Sequence, residues 1–361
     1  MERYMEKYYF NRMTKAQQNT YHAMKTGLES LAPSFQVPRL EASELMEVYF
    51  LLRLDCPEIF YSVKFSYRYY PSSGNAEMVP EYLFEKSKVK DHQKAMKARV
   101  EKLVRPAMKM SEMEKVQYVH DFICQNVHYD KLKKPYSHEI IGPLGQGVGV
   151  CEGIAKSVKI LLDALGVWCI IAISEANPEK GIKYRHAWNV IRVNGQYYHL
   201  DATFDNTLGN QGKGDVRMTD TKAGTQDQIR YDYFNLCDKQ IFRDHEPVIW
   251  KVPACTDGEH FYYKEKKISF TKMEDVRKRS AQAVKKGKVL LFHWRGGYLT
   301  REIVMEMFQI FEEEAAKKEK HARVSINWPQ AVLRVEFVQE IPEEQMRLEE
   351  ANEGEKYEEQ K

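Results

Sequence analysis

The stretch GVGVCEGIAKSVKILLDALG at residues 147–166 decides how the rest of the chain is interpreted. Glycines at positions 147, 149 and 153 surround Cys151, and an apolar stripe at helical spacing then runs as far as Gly166. This pattern predicts a helix whose N-terminus carries the thiol. The peptide dipoles at a helix N-terminus favour negative charge, which makes a thiol there more nucleophilic. The alternative is that Cys151 is a small buried residue at a tight turn.

The dipeptide NG at 194–195 predicts a β-hairpin with a two-residue turn. In that register Trp188 faces Asp201, and His186 faces Thr203. His186 and Asp201 then become diagonal neighbours on one sheet face, roughly 7–8 Å apart at the backbone, a span that their side chains can close. A carboxylate in that place would orient the imidazole and leave its other nitrogen for the thiol.

Other roles for these side chains stay open at this point. His199 also shares a face with Asp201 and is the second candidate for the base, with packing or a supporting hydrogen bond as its other role. His186 and Asp201 can each be ordinary structural residues. A metal site of Cys151, His186, His199 and Asp201 is conceivable, but the spacing matches no recognised zinc pattern. The prediction is therefore no metal and no cofactor.

Three ordered blocks resemble the signature of the transglutaminase-like superfamily: CEGIA at 151–155, HAWNV at 186–190 and YHLDATFD at 198–205. The resemblance extends over about 110–245, and the flanking segments resemble bacterial members in particular. It implies an α+β fold with a papain-like core, in which a helix carries the cysteine and an antiparallel sheet carries the histidine and the aspartate.

The resemblance also implies roles for individual residues. Cys151 becomes the nucleophile, His186 the proton shuttle and Asp201 the group that orients the histidine. The wider papain-like group uses an upstream glutamine or tryptophan as an oxyanion donor, and Gln146 is the nearby candidate. Trp188 is a candidate for lining the acyl site, with core packing as its alternative. The sequence lacks an acidic calcium loop like those of animal transglutaminases.

These roles predict an enzyme of cysteine-dependent amide hydrolysis or acyl transfer, acting through a thioester on a carboxamide of a peptide or protein. Hydrolysis is favoured over cross-linking because no amine-acceptor site is evident in the sequence. The first alternative is a catalytically idle scaffold of the same fold that binds a protein or polymer. The second is a binder of nucleic acid or another acidic polymer.

Composition limits these alternatives. The chain has 361 residues, of which 43% are hydrophobic and 30% charged, as in folded globular proteins. The apolar stretch 166–173 is far shorter than the roughly 20 residues that cross a bilayer, and residues 1–10 have no secretory pattern after them. A cytoplasmic protein without a membrane partner is expected.

Residues 86–105 hold eight basic and two acidic residues, but their apolar stripe predicts an amphipathic helix, so nucleic-acid binding is not expected.

Four segments are predicted: a helical N-terminal region with a β-hairpin at 1–109, a catalytic core at 110–245, a small α/β domain at 246–340 and a disordered acidic tail at 341–361. Residues 1 to about 45 read as helical with a break near residues 32–33, and residues 209–230 as a long polar loop. A strand pair is expected around 261–270.

Overall fold

The computed structural model of the protein describes residues 7–210 and 229–339. The chain forms two compact units, Met1–Gly258 and Glu259–Lys361. Both units combine helices with sheets, so the predicted mixed fold class is confirmed. The predicted boundaries at residues 109 and 245 stay predictions. Most of the predicted polar loop and the acidic tail lie outside the described residues.

The first unit begins with helices and a three-stranded antiparallel sheet of order β1-β3-β2. The elements are α1 Lys15–Glu29, β1 Phe35–Pro38, α2 Ala42–Asp55, β2 Ser62–Tyr69, β3 Asn75–Tyr82 and α3 Lys86–Val104. The predicted hairpin and the amphipathic helix α3 are confirmed. The helical prediction for residues 1 to about 45 allowed only a break near residues 32–33, and it is wrong over residues 35–38, which form β1 and pair with β3. Prolines at its borders, Pro33 and Pro38, disfavour helix there.

The remainder of the first unit carries the three sequence blocks on two helices and a four-stranded antiparallel sheet of order β6-β7-β8-β9. Its elements are α4 Glu112–Asn126, β4 His128–Tyr129, β5 Val148–Gly149, α5 Cys151–Leu165, β6 Trp168–Ser174, β7 His186–Val193, β8 Gln196–Leu200, α6 Ala202–Asn210, β9 Phe234–Leu236 and α7 Asp238–Ile241. Ser111 caps α4 through a capping box with Glu114. The helix α5 packs against β6 and β7.

The second unit is a small α/β fold with a mixed sheet of order β10-β11-β13-β12. Its elements are α8 Tyr262–Glu265, β10 Ser269–Phe270, α9 Met273–Lys286, β11 Leu290–Trp294, α10 Arg301–Ala316, β12 His321–Asn327 and β13 Val332–Val338. The predicted strand pair at 261–270 is wrong. Residues 262–265 form a helical turn, and the short strand β10 instead pairs in parallel with β11 across the α9 crossover.

Membrane insertion finds no support in the helices. In the ranges 7–210 and 229–339, every helix is too short or too polar to reach across a bilayer.

Candidate active site

The Cys151 thiol lies at the first residue of α5, as the sequence predicts. Val150 precedes it in an extended conformation, and its backbone N–H bonds the Ser137 carbonyl at 3.0 Å. That carbonyl passes so close to Gly153 that a Cβ there would lie 2.1 Å from it. A glycine at 153 therefore lets the neighbouring segment cross the start of the helix. Cys151 itself stays partly exposed.

The hairpin that carries the histidine has the predicted register. Val190 pairs with His199, and Asn189 pairs with Leu200. The turn residues Asn194 and Gly195 have φ values of 50° and 83°, as a two-residue hairpin turn of this kind requires. The ladder ends at Asn189 and Leu200, because the chain beyond Leu200 leaves the sheet to begin α6. The predicted backbone pairings of Trp188 with Asp201 and of His186 with Thr203 are therefore wrong.

Asn189 fixes the hairpin to the cysteine helix. Its side-chain amide is buried and donates to the Ala155 carbonyl of α5 at 3.0 Å and to the Ile170 carbonyl of β6 at 3.3 Å. An amide that bonds both elements resists sliding of the helix along the sheet. The sequence pattern did not reveal this role, although Asn189 lies within the HAWNV block.

His186 and Asp201 form the predicted pair. The Nε2 atom of His186 lies 2.5 Å from Oδ2 of Asp201, which leaves Nδ1 as the other ring nitrogen. Burial lowers the pKa of His186, but the charge and hydrogen bond of Asp201, together with a hydrogen bond to Cys151, outweigh it and raise the pKa to about 10. The imidazole is therefore positively charged at neutral pH and lies beside the sulfur.

The carboxylate of Asp201 is completely enclosed by hydrogen-bond donors. Its Oδ1 accepts from the backbone N–H groups of Thr203 at 2.8 Å and Phe204 at 3.1 Å, at the start of α6. Its Oδ2 accepts from His186 and from His245, the latter at 2.9 Å. Burial raises the pKa of Asp201, but the two histidines hold it well below its usual value. Asp201 is thus a fixed anion.

A comparison with known protein families matches the part of the chain that carries these three residues. Residues 97–202 match the model of the transglutaminase-like superfamily, and the matched segment includes Cys151, His186 and Asp201. The segment 97–202 belongs to the transglutaminase-like superfamily. The resemblance stated from the sequence blocks is confirmed for this segment.

Solved structures similar to the chain include three of low sequence identity. One is a TGase, 11% identical, with 46% of this chain and 47% of that chain covered and a TM-score of 0.26. A protein described as a candidate cysteine protease from Cytophaga hutchinsonii is 15% identical, with 39% and 62% covered and a TM-score of 0.24. A candidate protease from Parabacteroides distasonis is 16% identical, with 39% and 36% covered and a TM-score of 0.25. The chain thus spans less than two thirds of each. A comparison with curated proteins found no match.

His199 hydrogen-bonds groups other than the His186–Asp201 pair. His199 is buried, accepts a hydrogen bond from the Trp188 indole on Nδ1 at 2.9 Å, and contacts Asp238 through Nε2 at 2.8 Å. Both ring nitrogens are therefore engaged by groups other than Asp201. The packing and hydrogen-bonding role is the one that this structure has for His199.

Trp188 and Gln146 differ in how far their side chains are exposed to solvent. Trp188 is 1% exposed and stacks on His186 with ring centroids 5.8 Å apart, so the core-packing alternative is the one that this structure has. Its role in lining an acyl site stays a prediction. Gln146 is exposed at the end of the turn Gly142–Gln146. Its role as an oxyanion donor stays a prediction as well.

Two further residues lie near the His186–Asp201 pair, and no sequence motif pointed to either of them. Tyr129 of β4 pairs in parallel with Gly149, two residues before the cysteine. Burial, followed by the negative charges of Cys151, Asp130 and Asp201, raises the pKa of Tyr129 to about 12. The second residue is His245, which follows Asp201 by 44 positions and carries no local motif. The only available signal for Tyr129 was its position in a segment that resembles the family.

Possible metal ligands converge twice within the described parts of the chain. One group is His186, Asp201 and His245, and the other is His199, Asp238 and Cys255. In the first group both Nε2 atoms donate to the carboxylate, and in the second the indole donor on Nδ1 leaves the hydrogen of His199 on Nε2. Because a metal needs a nitrogen lone pair, these hydrogen bonds favour neither group as a metal site.

Proposed function

We propose that the protein is a cysteine-dependent amidase or acyltransferase that acts on carboxamides of peptides or proteins, with Cys151, His186 and Asp201 as its catalytic residues. One observation carries the proposal. The imidazole of His186 hydrogen-bonds both the partly exposed thiol of Cys151, at a helix N-terminus, and the buried carboxylate of Asp201. An adjacent base held in place by a third group activates a thiol for nucleophilic attack.

The proposed reaction has two halves. The Cys151 thiolate attacks the carboxamide carbon, and the His186 imidazolium gives its Nδ1 proton to the nitrogen that leaves as ammonia or an amine. A thioester remains on the sulfur. Water or an amine then attacks the thioester, while His186 takes a proton from the attacking molecule. The thiolate of Cys151 is released.

The negative oxygen that forms in each half needs hydrogen-bond donors. The first N–H groups of a helix have no acceptor within that helix, so the backbone N–H of Cys151 supplies one donor. Asp201 keeps the ring of His186 aimed through its Nε2 hydrogen bond and stays ionised throughout.

Thiol alkylation at pH 6 tests the nucleophile. Cys151 should react with iodoacetamide at least tenfold faster in the native protein than in His186→Ala, because the variant lacks the cation that favours the thiolate. The peptides are followed separately by mass spectrometry. The partly exposed Cys124 of α4 then serves as an internal control, since its sulfur contacts His120 instead of His186. Equal rates at Cys151 in both proteins would favour the idle scaffold.

A turnover assay distinguishes water from an amine as the acceptor. Glutamine-containing peptides are incubated with a fluorescent amine, and both ammonia release and amine incorporation are measured against Cys151→Ala. Ammonia release without incorporation indicates hydrolysis, and incorporation indicates acyl transfer. The absence of both, with fast alkylation retained, would direct the search to other carboxamides.

A further inference from the structure

A second histidine shares the carboxylate of the proposed catalytic pair. His245 is buried, and its Nε2 lies 2.9 Å from Oδ2 of Asp201, the same oxygen that His186 contacts. Its Nδ1 lies 2.8 Å from Oδ1 of Asp244. The other oxygen of Asp244 accepts a hydrogen bond from the Tyr233 hydroxyl. A continuous polar chain therefore runs from Tyr233 to His186.

The hydrogen-bond geometry fixes the protonation of His245. An ionised carboxylate can only accept hydrogen bonds, so a nitrogen that contacts it must carry a hydrogen. His245 contacts a carboxylate through each ring nitrogen. It therefore carries both hydrogens and a positive charge. Burial lowers the pKa of His245, but the hydrogen bonds of Asp201 and Asp244 outweigh it and raise it.

Two imidazolium rings thus compete for one carboxylate oxygen. The ring centroids of His186 and His245 are 5.2 Å apart, and the two positive charges repel each other. Asp201 attracts both. The charge on His245 therefore limits how strongly Asp201 can hold the proton on His186.

We propose that His245 is a positioning residue that holds Asp201 in place and, as a fixed cation, lowers the pH at which His186 gives up its proton. This inference rests on the proposed function, because it concerns the same pair. It goes beyond that function in naming a residue that touches neither the sulfur nor the reacting atoms and that tunes the base through the shared carboxylate.

The titratable groups around His245 come from several elements. Asp201 and His186 face it from the sheet and its end, and Asp244 precedes it in the chain. The Tyr233 ring lies 5.5 Å away, and His199 lies near enough to interact electrostatically with it. Asp201 and Asp244 are the acidic partners that retain the proton on His245.

The pH profile of Cys151 alkylation tests the proposal in the full chain. The alkaline inflection of this profile reports the loss of the His186 proton, because the thiolate then loses its cationic partner. His245→Gln retains a hydrogen-bond donor but removes the charge. We expect its inflection to move upward by about one pH unit, because Asp201 then serves His186 alone.

Two further variants keep the test decisive. Asp244→Asn leaves the imidazole in place but removes the carboxylate that keeps it charged, so its inflection should move in the same direction, even if His245→Gln does not fold. The matched control is His199→Gln, a buried histidine that also contacts a carboxylate but not Asp201, and its inflection should stay in place.

The outcomes separate the two proposals. Upward shifts in the His245 and Asp244 variants, with none in the His199 variant, support the inference. A uniform loss of rate at every pH without a shifted inflection indicates a merely structural role and overturns it. If native Cys151 reacts no faster than in His186→Ala at pH 6, it is the proposed function that fails.

Discussion

At the scale of single residues, the pairing of His186 with Asp201 was predictable because it follows from local turn chemistry. The dipeptide at 194–195 fixes the register as far as Asn189 and Leu200, and Asp201 follows Leu200 directly, where its side chain reaches His186. His245 was not predictable in the same way. It reaches Asp201 across 44 positions of chain, and no short-range pattern specifies where such a residue packs.

Asp201→Asn is expected to remove the charge that retains the proton on His186. The pKa of the imidazole should fall from about 10 towards or below its usual value of 6.5. The alkaline inflection of Cys151 alkylation should fall with it, and the rate at pH 6 should drop at least tenfold. An unchanged inflection in a folded variant would show that Asp201 does not control His186.

The same pair makes a contribution to stability whose sign is fixed by the raised pKa. Between pH 6.5 and about 10 the folded protein retains a proton on His186 that the unfolded chain releases. The contribution is therefore complete below pH 6.5 and is lost as the pH rises through 10. Urea unfolding at pH 7 and pH 10 should show a smaller difference in Asp201→Asn than in the native protein.

At the scale of elements, long periodic segments were read correctly and short strands were not. The helices α3, α4 and α5 have apolar faces and end signals within their own sequence. The strands β1 and β10 have four and two residues, and each exists because a partner strand lies beside it. Pairing of this kind depends on tertiary contacts that a local pattern does not contain.

Gly153→Ala tests how the start of α5 is built. The added Cβ would meet the Ser137 carbonyl oxygen at 2.1 Å, and because this oxygen belongs to the backbone, the whole segment must move. We expect a loss of about 2–4 kcal/mol in the free energy of unfolding, together with slower Cys151 alkylation.

The matched control for that variant is Gly74→Ala. Nothing lies within 4 Å of the added Cβ at this turn glycine, so stability should stay within about 0.5 kcal/mol of the native protein. Both free energies are measured by urea unfolding. Equal values for the two variants would contradict the proposed packing of segment 137–138 on α5.

At the scale of the first unit, buried charges connect the N-terminal elements to the cysteine helix. Arg53 of α2 pairs with Glu139, and Lys156 of α5 reaches Glu139 at 2.9 Å and Glu152 at 2.7 Å. Lys156 and Glu139 are almost completely buried. The residue next to Cys151 is therefore held by a network that includes a helix far upstream. Sequence patterns could not reveal it, because buried ion pairs look like surface charges in a sequence.

Glu139→Gln is expected to destabilise the first unit by about 3–5 kcal/mol, because it leaves Arg53 and Lys156 buried with only Glu152 to balance them. The control is Glu81→Gln, which breaks the exposed pair with Lys64 and should cost less than about 1 kcal/mol. Urea unfolding at pH 7 measures both. Because Glu152 would then be drawn towards the unpaired cations, Cys151 alkylation should also slow in Glu139→Gln. Native-like stability and alkylation in that variant would show that the cysteine helix is positioned without help from α2.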